Sequence, residues 1–389
     1  MKAPAQDRLT RRELLRWCGA AAAGLCLGGA ASPASARFSP LARRQKQGLR
    51  EAMYYQKLAG GMVHCELCPC SPAKEYCGFL RDGQTCVCNV RKNVGGTLYV
   101  TNYAMASVLS QDPVEKNPLH HFLPSARALT LATAGCNLDC ACCQNWQLSQ
   151  VGVEEANSFN LPPEQVVAKA LENRCRIISY TYTEPIIFYE YMLDTAKAAH
   201  AAGLRNTVVT GGYICAEPLR ELCRHVDAFS VSVKGFSEDF YLKMCRGRLE
   251  TVLSTLKTIR QQQVWLEVVA LIIPTLSDDM GQIRWFSRWV KANLGSEVPV
   301  HFTRFWPSYK LKNLPQTPIA TLEQARKIAK EAGLRYAYVG NLPGHAGSNT
   351  YCASCGRTLL RRVGFQVIQN TLASGRCPSC GQALPGVWA

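Results

Sequence analysis

Four cysteines fall within eight residues of the stretch "GCNLDCACCQNW", Gly135 to Trp146. The spacing C-x3-C-x2-C selects Cys136, Cys140 and Cys143. Three thiolates on one loop can hold three irons of a [4Fe-4S] cube and leave the fourth iron without a protein ligand. An open position of that kind separates a reactive metal site from a sealed structural one. A zinc site using Cys142 as fourth ligand is the alternative, but it would need divergent neighbouring thiols to converge on one tetrahedral ion.

Two further groups carry thiols at metal spacing. "CASC" and "CPSC" place Cys352, Cys355, Cys377 and Cys380 in two C-x2-C knuckles with 21 residues between them. Four thiolates so arranged complete a closed tetrahedral site, most simply a structural zinc, with a rubredoxin-like iron sharing the spacing. Cys65, Cys68, Cys70, Cys77, Cys86 and Cys88 crowd a third segment. Twenty cysteines in all are too closely grouped to staple a fold as disulfides and suit shared metals.

The elements that must position these groups follow from the hydrophobic pattern. "RALTLATAG" reads as a strand feeding the first cysteine loop, and "PPEQVVAKALEN" as a helix started by its prolines. Strands at "CRIISYTYT", "NTVVTGG", "AFSVSVKG", "VWLEVVALII", "VPVHFTRFWP" and "RYAYVGN" alternate with helices at "FYEYMLDTAKAAHAAG", 249–262, 279–293 and "LEQARKIAKEAG". Such alternation predicts an α/β protein with a parallel sheet and crossover helices, its site at the strand C-terminal ends. Residues 51–100 show little periodicity and read as a small module held together by metal.

"DPVEKNPLHHFLPSARALTLATAGCNLDCACCQNWQLSQ", with "YTYTEP", "HFTRFWP", "YVGNLPGHAGSNTYCASCG" and "CGQALPGVW", resembles the AmmeMemoRadiSam-system family of radical S-adenosylmethionine (SAM) enzymes. The likeness runs from about Met53 to Trp388, and the family is similar to the pyruvate formate-lyase activating enzymes. It implies a partial (β/α) barrel of radical SAM type at residues 125–342, a cysteine-rich module at 51–100 and a zinc ribbon at 350–389. It also implies a [4Fe-4S] cluster on Cys136, Cys140 and Cys143 whose open iron takes the cofactor, and a 5'-deoxyadenosyl radical that abstracts hydrogen.

The same resemblance implies roles for single residues. Glu184 in "YTYTEP" stands where relatives place a Gly-Gly-Glu-Pro turn that binds the cofactor amine; a capping carboxylate is the alternative. Lys234 in "SVSVKGF" matches the lysine of an Asp-Leu-Lys motif and would meet the cofactor carboxylate, with Ser232 in place of the acid. Thr210-Gly211-Gly212 replaces the usual Thr-Asn-Gly, so Thr210 joins the cofactor contacts. His301 is either a ribose contact or a core histidine, and Asp112, Glu115, Lys116, His120 and His121 form either a lid or substrate-side segment or a solvated loop. Cys65, Cys68 and Cys88 of "CNVR" match a four-cysteine pattern whose third position falls on Pro72, with Cys70 and Cys77 nearby. They imply a second iron–sulfur cluster or a zinc.

The chain of 389 residues carries a net charge of +16, scattered and without an Arg-rich helix. Nucleic acid is not an expected partner; an anionic substrate or acidic protein is. Residues 1–36 read as a twin-arginine export signal: Arg11 and Arg12 precede an apolar run from Trp17 to Ala31, and Ala34-Ser35-Ala36 gives a cleavage site. The mature chain would start at Arg37 outside the cytoplasm, with no membrane span; a cytoplasmic protein with a basic N-terminus is the alternative. Expected partners are a one-electron donor and a protein or small-molecule substrate, among them the family's two partner proteins. Glycyl-radical activation is an alternative activity, and a non-catalytic iron–sulfur electron carrier an alternative class.

Overall fold

Seven strands of near-continuous apolar character lie parallel in one sheet, each brought back into line by a helical crossover. The structure, a computed structural model, describes residues 49–70 and 77–389. The twin-arginine segment and Pro72 lie outside the described residues. The sheet comprises β1 (Val108–Pro113), β2 (Arg127–Ala132), β3 (Ile177–Tyr180), β4 (Arg205–Thr210), β5 (Ala228–Val233), β6 (Trp265–Ile272), β7 (Val300–Arg304) and β8 (Ala337–Gly340). They stand side by side in chain order. β2 to β8 are parallel, and β1 pairs antiparallel with β2 from Val108↔Ala132 to Pro113↔Arg127. Parallel strands are covered on both faces, so they carry runs such as the Val268–Val269–Ala270 of β6.

The helices are α1 (Pro163–Glu172), α2 (Tyr189–Ala201), α3 (Ala216–Cys223), α4 (Leu249–Gln261), α5 (Met280–Leu294) and α6 (Ile319–Glu331). Local chemistry sets their ends. Pro163 sits in the first turn of α1, where its missing N–H costs nothing. The Asp279 side chain accepts from the Gln282 amide at 2.7 Å to cap α5, which stops at Gly295 with φ of +102°. The short helix α3 and the edge strand β1 are not evident in the sequence pattern.

Residues 49–100, whose sequence shows little periodicity, hold two small sheets: Tyr55–Lys57, Val63–Cys65 and Phe79–Leu80 form one antiparallel sheet, and Arg50–Glu51, Thr97–Val100 and Arg91–Val94 another. The latter turns on Gly95 and Gly96, both at positive φ, as a two-residue hairpin requires. Val63, Leu67, Val90 and Leu98 join the same apolar core as the large sheet. The segment before β2 is not a lid throughout. Glu115, His120 and His121 are buried, because His120 and His121 amides donate to Glu267 of β6 and the Glu115 carboxylate takes the Ser125 amide.

The C-terminal residues form three antiparallel strands, β9 (Thr350–Tyr351), β10 (Thr358–Val363) and β11 (Gln366–Asn370). They are strapped to the 114–126 segment through Val387, which exchanges backbone hydrogen bonds with His121 and Leu123, and through Arg362, whose guanidinium donates to the His120 carbonyl. No described helix is long and apolar enough to cross a membrane.

Candidate functional site

The first cysteine loop leaves β2 at the C-terminal end of the sheet and is fixed from three sides. Asp139 and Ala141 amides donate to the carbonyls of Cys245 and Met244, which belong to a single π turn, Tyr241–Cys245. Such turns are rare and recur at functional sites. Lys310 donates its amide to the Ala141 carbonyl and its ammonium to Asp139, while the Ser308 hydroxyl holds the Cys143 carbonyl at 3.1 Å. The Asn145 amide donates to the Tyr182 carbonyl at 2.6 Å, tying the loop to the turn after β3.

Cys136, Cys140 and Cys143 open with Cys142 onto one cavity of about 320 Å³. The same cavity is lined by Glu184, Thr210, Ser232 and Lys234, so the strand ends bring these expected residues together. A wider depression of about 680 Å³ beside α6 is lined by Arg326, Lys330, Arg335 and the ribbon residue Cys352, and none of the residues of the first loop reaches it. His301 does not line the cavity of the cysteine loop. It is 1% exposed, and its Nε2 lies 2.7 Å from Glu267, in a buried cluster with His120 and Tyr338. It thus sits as a core histidine.

Glu184 is 3% exposed and fully engaged. One oxygen accepts from Thr210 Oγ1 at 2.6 Å and from the Ile186 amide at 3.2 Å, and the other accepts from the Gly211 amide at 2.7 Å. It therefore caps the turn Pro185–Phe188 while facing the cavity. Burial pushes its pKa up against those donors and Lys234. At Lys234 burial works against the charge, and the thiols of Cys140, Cys142 and Cys143 outweigh it and raise the pKa.

Sulfur chemistry within the loop is uneven. Burial pushes Cys136 and Cys143 up, and Cys142 up to about 12. Cys140 is drawn below the usual thiol range by a hydrogen bond from Cys245, against its burial. Cys245 carries no spacing signal, since only the fold brings the π turn to the loop. Three thiols at the mouth of one cavity, beside a carboxylate and an ammonium, fit an iron–sulfur cluster with a small zwitterionic ligand.

Asp112, Lys116 and Tyr182 line the same cavity. Lys116 Nζ lies 2.7 Å from both Asp112 and the Tyr182 hydroxyl. Tyr182 has φ of +63°, a strained value for a bulky residue, held there by Asn145. Of the segment expected to form a lid, Asp112 and Lys116 do face the cavity.

The C-terminal cysteines form a separate group. All four sulfurs lie within 4.8 Å of one another, with Cys352–Cys380 at 3.6 Å and Cys355–Cys377 at 3.7 Å. Tetrahedral zinc with bonds of about 2.3 Å separates its sulfurs by about 3.8 Å, so the group fits a single ion. At Cys377, burial is outweighed by amides of Cys380 and Ser379 and by neighbouring thiols, and the pKa falls to about 6.

In the N-terminal segment Cys65, Cys86 and Cys88 are buried around Arg91, with Cys68 beside them and Cys70 exposed. Arg91, 1% exposed, places its guanidinium 2.6 Å from Glu190 of α2 and 3.7 Å from Cys65 Sγ. Cys86, absent from the expected ligand set, accepts hydrogen bonds from Cys77 and Cys88 beside them.

Comparison with known proteins follows the same lines. The model of the radical SAM superfamily matches residues 130–283. The chain is 42% identical over 338 residues to the uncharacterized protein MJ0808 of Methanocaldococcus jannaschii, covering 86% of this chain and 99% of that one. It is 24% identical over 220 residues to the pyruvate formate-lyase-activating enzyme of Clostridium pasteurianum, covering 51% of this chain and 87% of that enzyme. A crystal structure of a radical SAM methyltransferase from Sphaerobacter thermophilus aligns with 61% of this chain and 71% of its own at 16% identity, with a TM-score of 0.44. The chain belongs to one family with MJ0808, within the radical SAM superfamily.

Proposed function

We propose that the protein is an activating-enzyme-like radical SAM enzyme in which Cys136, Cys140 and Cys143 hold a [4Fe-4S] cluster. The observation that carries this reading is the convergence of those three thiols with Glu184 and Lys234 on one cavity. When bound, cluster and cofactor supply an electron and a 5'-deoxyadenosyl radical that takes a hydrogen atom from substrate. Glu184, pinned by Thr210 and Gly211, receives the cofactor amine, and Lys234 pairs with its carboxylate. Ser232 lends a hydroxyl at the same strand end. Asp112, Lys116 and Tyr182, which line the same cavity, form the substrate side. Anaerobic incubation of the reconstituted, reduced protein with SAM tests the reading. Release of 5'-deoxyadenosine supports it, and none would leave an electron carrier.

A protein substrate is the finer reading, favoured by the similarity to an activating enzyme over 87% of that enzyme's length. The AmmeMemoRadiSam motifs add the family's two partner proteins as candidates, and a glycine radical in a partner is the alternative target. Residues 1–36 support export of the folded holoprotein by the twin-arginine route. Exchange of Arg11 and Arg12 for Lys would then trap the full-length chain inside; a wild-type chain left uncut in the cytoplasm would contradict export.

A further inference from the structure

Where the cavity of the cysteine loop meets the segment before β2, hydrogen-bond donors outnumber acceptors. Asp112, Lys116, Asn117 and Tyr182 line it there. Both Asp112 oxygens are taken: one accepts from Lys116 Nζ at 2.7 Å, the other from Ser110 Oγ at 2.9 Å and from the Tyr182 hydroxyl at 3.2 Å. The Tyr182 oxygen in turn accepts from Lys116 at 2.7 Å. The donors are not used up. An ammonium carries three N–H bonds, and Lys116 directs two of them to Asp112 and Tyr182. Asn117 is 3% exposed, and its side-chain Nδ2 meets no acceptor. A buried amide left unpaired is costly, so one kept on a cavity wall marks a place for a ligand's acceptor.

Backbone geometry fixes both groups. The Asn117 amide donates to the Val114 carbonyl at 3.0 Å, which closes the turn Val114–Lys116 and sets the two side chains in succession. The Pro118 carbonyl accepts from Ser230 Oγ of β5 at 3.5 Å. At Lys116 burial works against the charge, and Asp112 and Tyr182 outweigh it and raise the pKa, so the ammonium persists at neutral pH. The surroundings are polar as well. Ser179 of β3 and Thr207 of β4 stand in register, two residues before the cavity-lining Thr181 and Val209, and their buried hydroxyls meet no partner.

The group that completes this arrangement is an acceptor, and its charge follows from the pair beside it. Asp112 already offsets Lys116, so the two charges of a phosphate monoester are worse matched than the single charge of a carboxylate. A carboxylate offers two oxygens, one for the ammonium and one for the amide. The net charge of +16 favours its approach. We propose that Lys116 and Asn117 form a carboxylate-recognising subsite of the cavity and that the substrate presents a carboxylate to it. Calling the occupant substrate rests on the radical-enzyme reading above; the subsite itself does not. A free acid and an acidic side chain of a protein share this chemistry.

Titration calorimetry of the full chain, reconstituted but unreduced, tests the subsite with matched acid and amide probes. Butyrate against butyramide represents a free acid, and acetyl-Ala-Glu-Ala-amide against its Gln counterpart represents a protein. Wild type should bind the acid of at least one pair about tenfold more tightly than its amide, and the pair that discriminates identifies the source. Lys116→Met and the isosteric Asn117→Asp, each checked for a wild-type melting transition, should abolish that preference, and Lys116→Arg should retain it. Equal binding of acid and amide by wild type, no binding of any probe, or a preference that survives both substitutions overturns the subsite. So does a preference that vanishes once SAM is added, because the two donors then belong to the cofactor. Wild type that takes up no iron sinks the radical-enzyme reading instead; the titrations need neither reductant nor turnover and judge the subsite all the same.

Discussion

The Thr210 hydroxyl donates to the Glu184 carboxylate at 2.6 Å, across the ends of β4 and β3. The neighbouring Gly211 amide takes the other oxygen at 2.7 Å, and a Cβ on Gly211 would crowd Glu184 and Leu138 at 3.2 Å. The carboxylate is thus held in one orientation before any ligand arrives, which lowers the cost of binding. Thr210→Val removes one charged hydrogen bond of about 1.5–3 kcal/mol. It should weaken SAM binding about tenfold or more in equilibrium dialysis. Thr210→Ser should restore it, which a general packing defect would not.

Cofactor cleavage separates the cysteines of the loop. Loss of any one of Cys136, Cys140 or Cys143 should abolish 5'-deoxyadenosine formation, while Cys142→Ala and Cys245→Ala should keep it. Cys142 lines the cavity and Cys245 hydrogen bonds Cys140, so both are close enough to make the comparison demanding. Equal loss in all five variants would contradict the ligand assignment.

The parallel core was legible because strands such as β6 and β7 are buried on both faces and read as continuous apolar runs. β1 was not, since "VLSQDP" is half-buried, polar and ends in proline, and its partner β2 decides its state. Glu184 and Lys234 could be placed from motifs at strand ends. His301 could not: its neighbour Glu267 comes from β6, and only the register Val269↔His301 brings the two together. Cys86 and Cys245 share that cause, for their contacts are set by how separate turns pack rather than by spacing along the chain.

The ribbon should lose one zinc per chain on Cys355→Ser or prolonged chelation. Metal binding here is folding energy, so residues 350–389 should become protease-sensitive at once. The break should spread, because Arg362 and Val387 tie the ribbon to His120, His121 and Leu123. Proteolysis confined to the core with an intact, metal-free tail would count against a structural zinc.

Acid stability should fall in a window set by the buried histidines. His121 has its pKa lowered to about 4 by burial, against Glu267 and the Pro385 carbonyl, and Arg362 and His301 add to the lowering. His120 is pushed well down by burial, then by Arg362, His301 and His121. Glu115, Tyr336 and Tyr338 complete the charged and titratable groups of the cluster. An unfolded histidine titrates near about 6.5, so between that value and 4 the unfolded chain binds more protons than the native one, and stability rises with pH. It is complete above about 6.5 and is lost as pH falls toward 4. Glu267 acts in the same direction lower down, since its burial is outweighed by His301 and His121 and its pKa is depressed. Urea midpoints of the metal-loaded chain should therefore decline from pH 7 to 4.5. His121→Gln, which keeps an acceptor for the Tyr338 hydroxyl and cannot titrate, should flatten that decline; an unchanged slope would place the acid sensitivity in the metal sites instead.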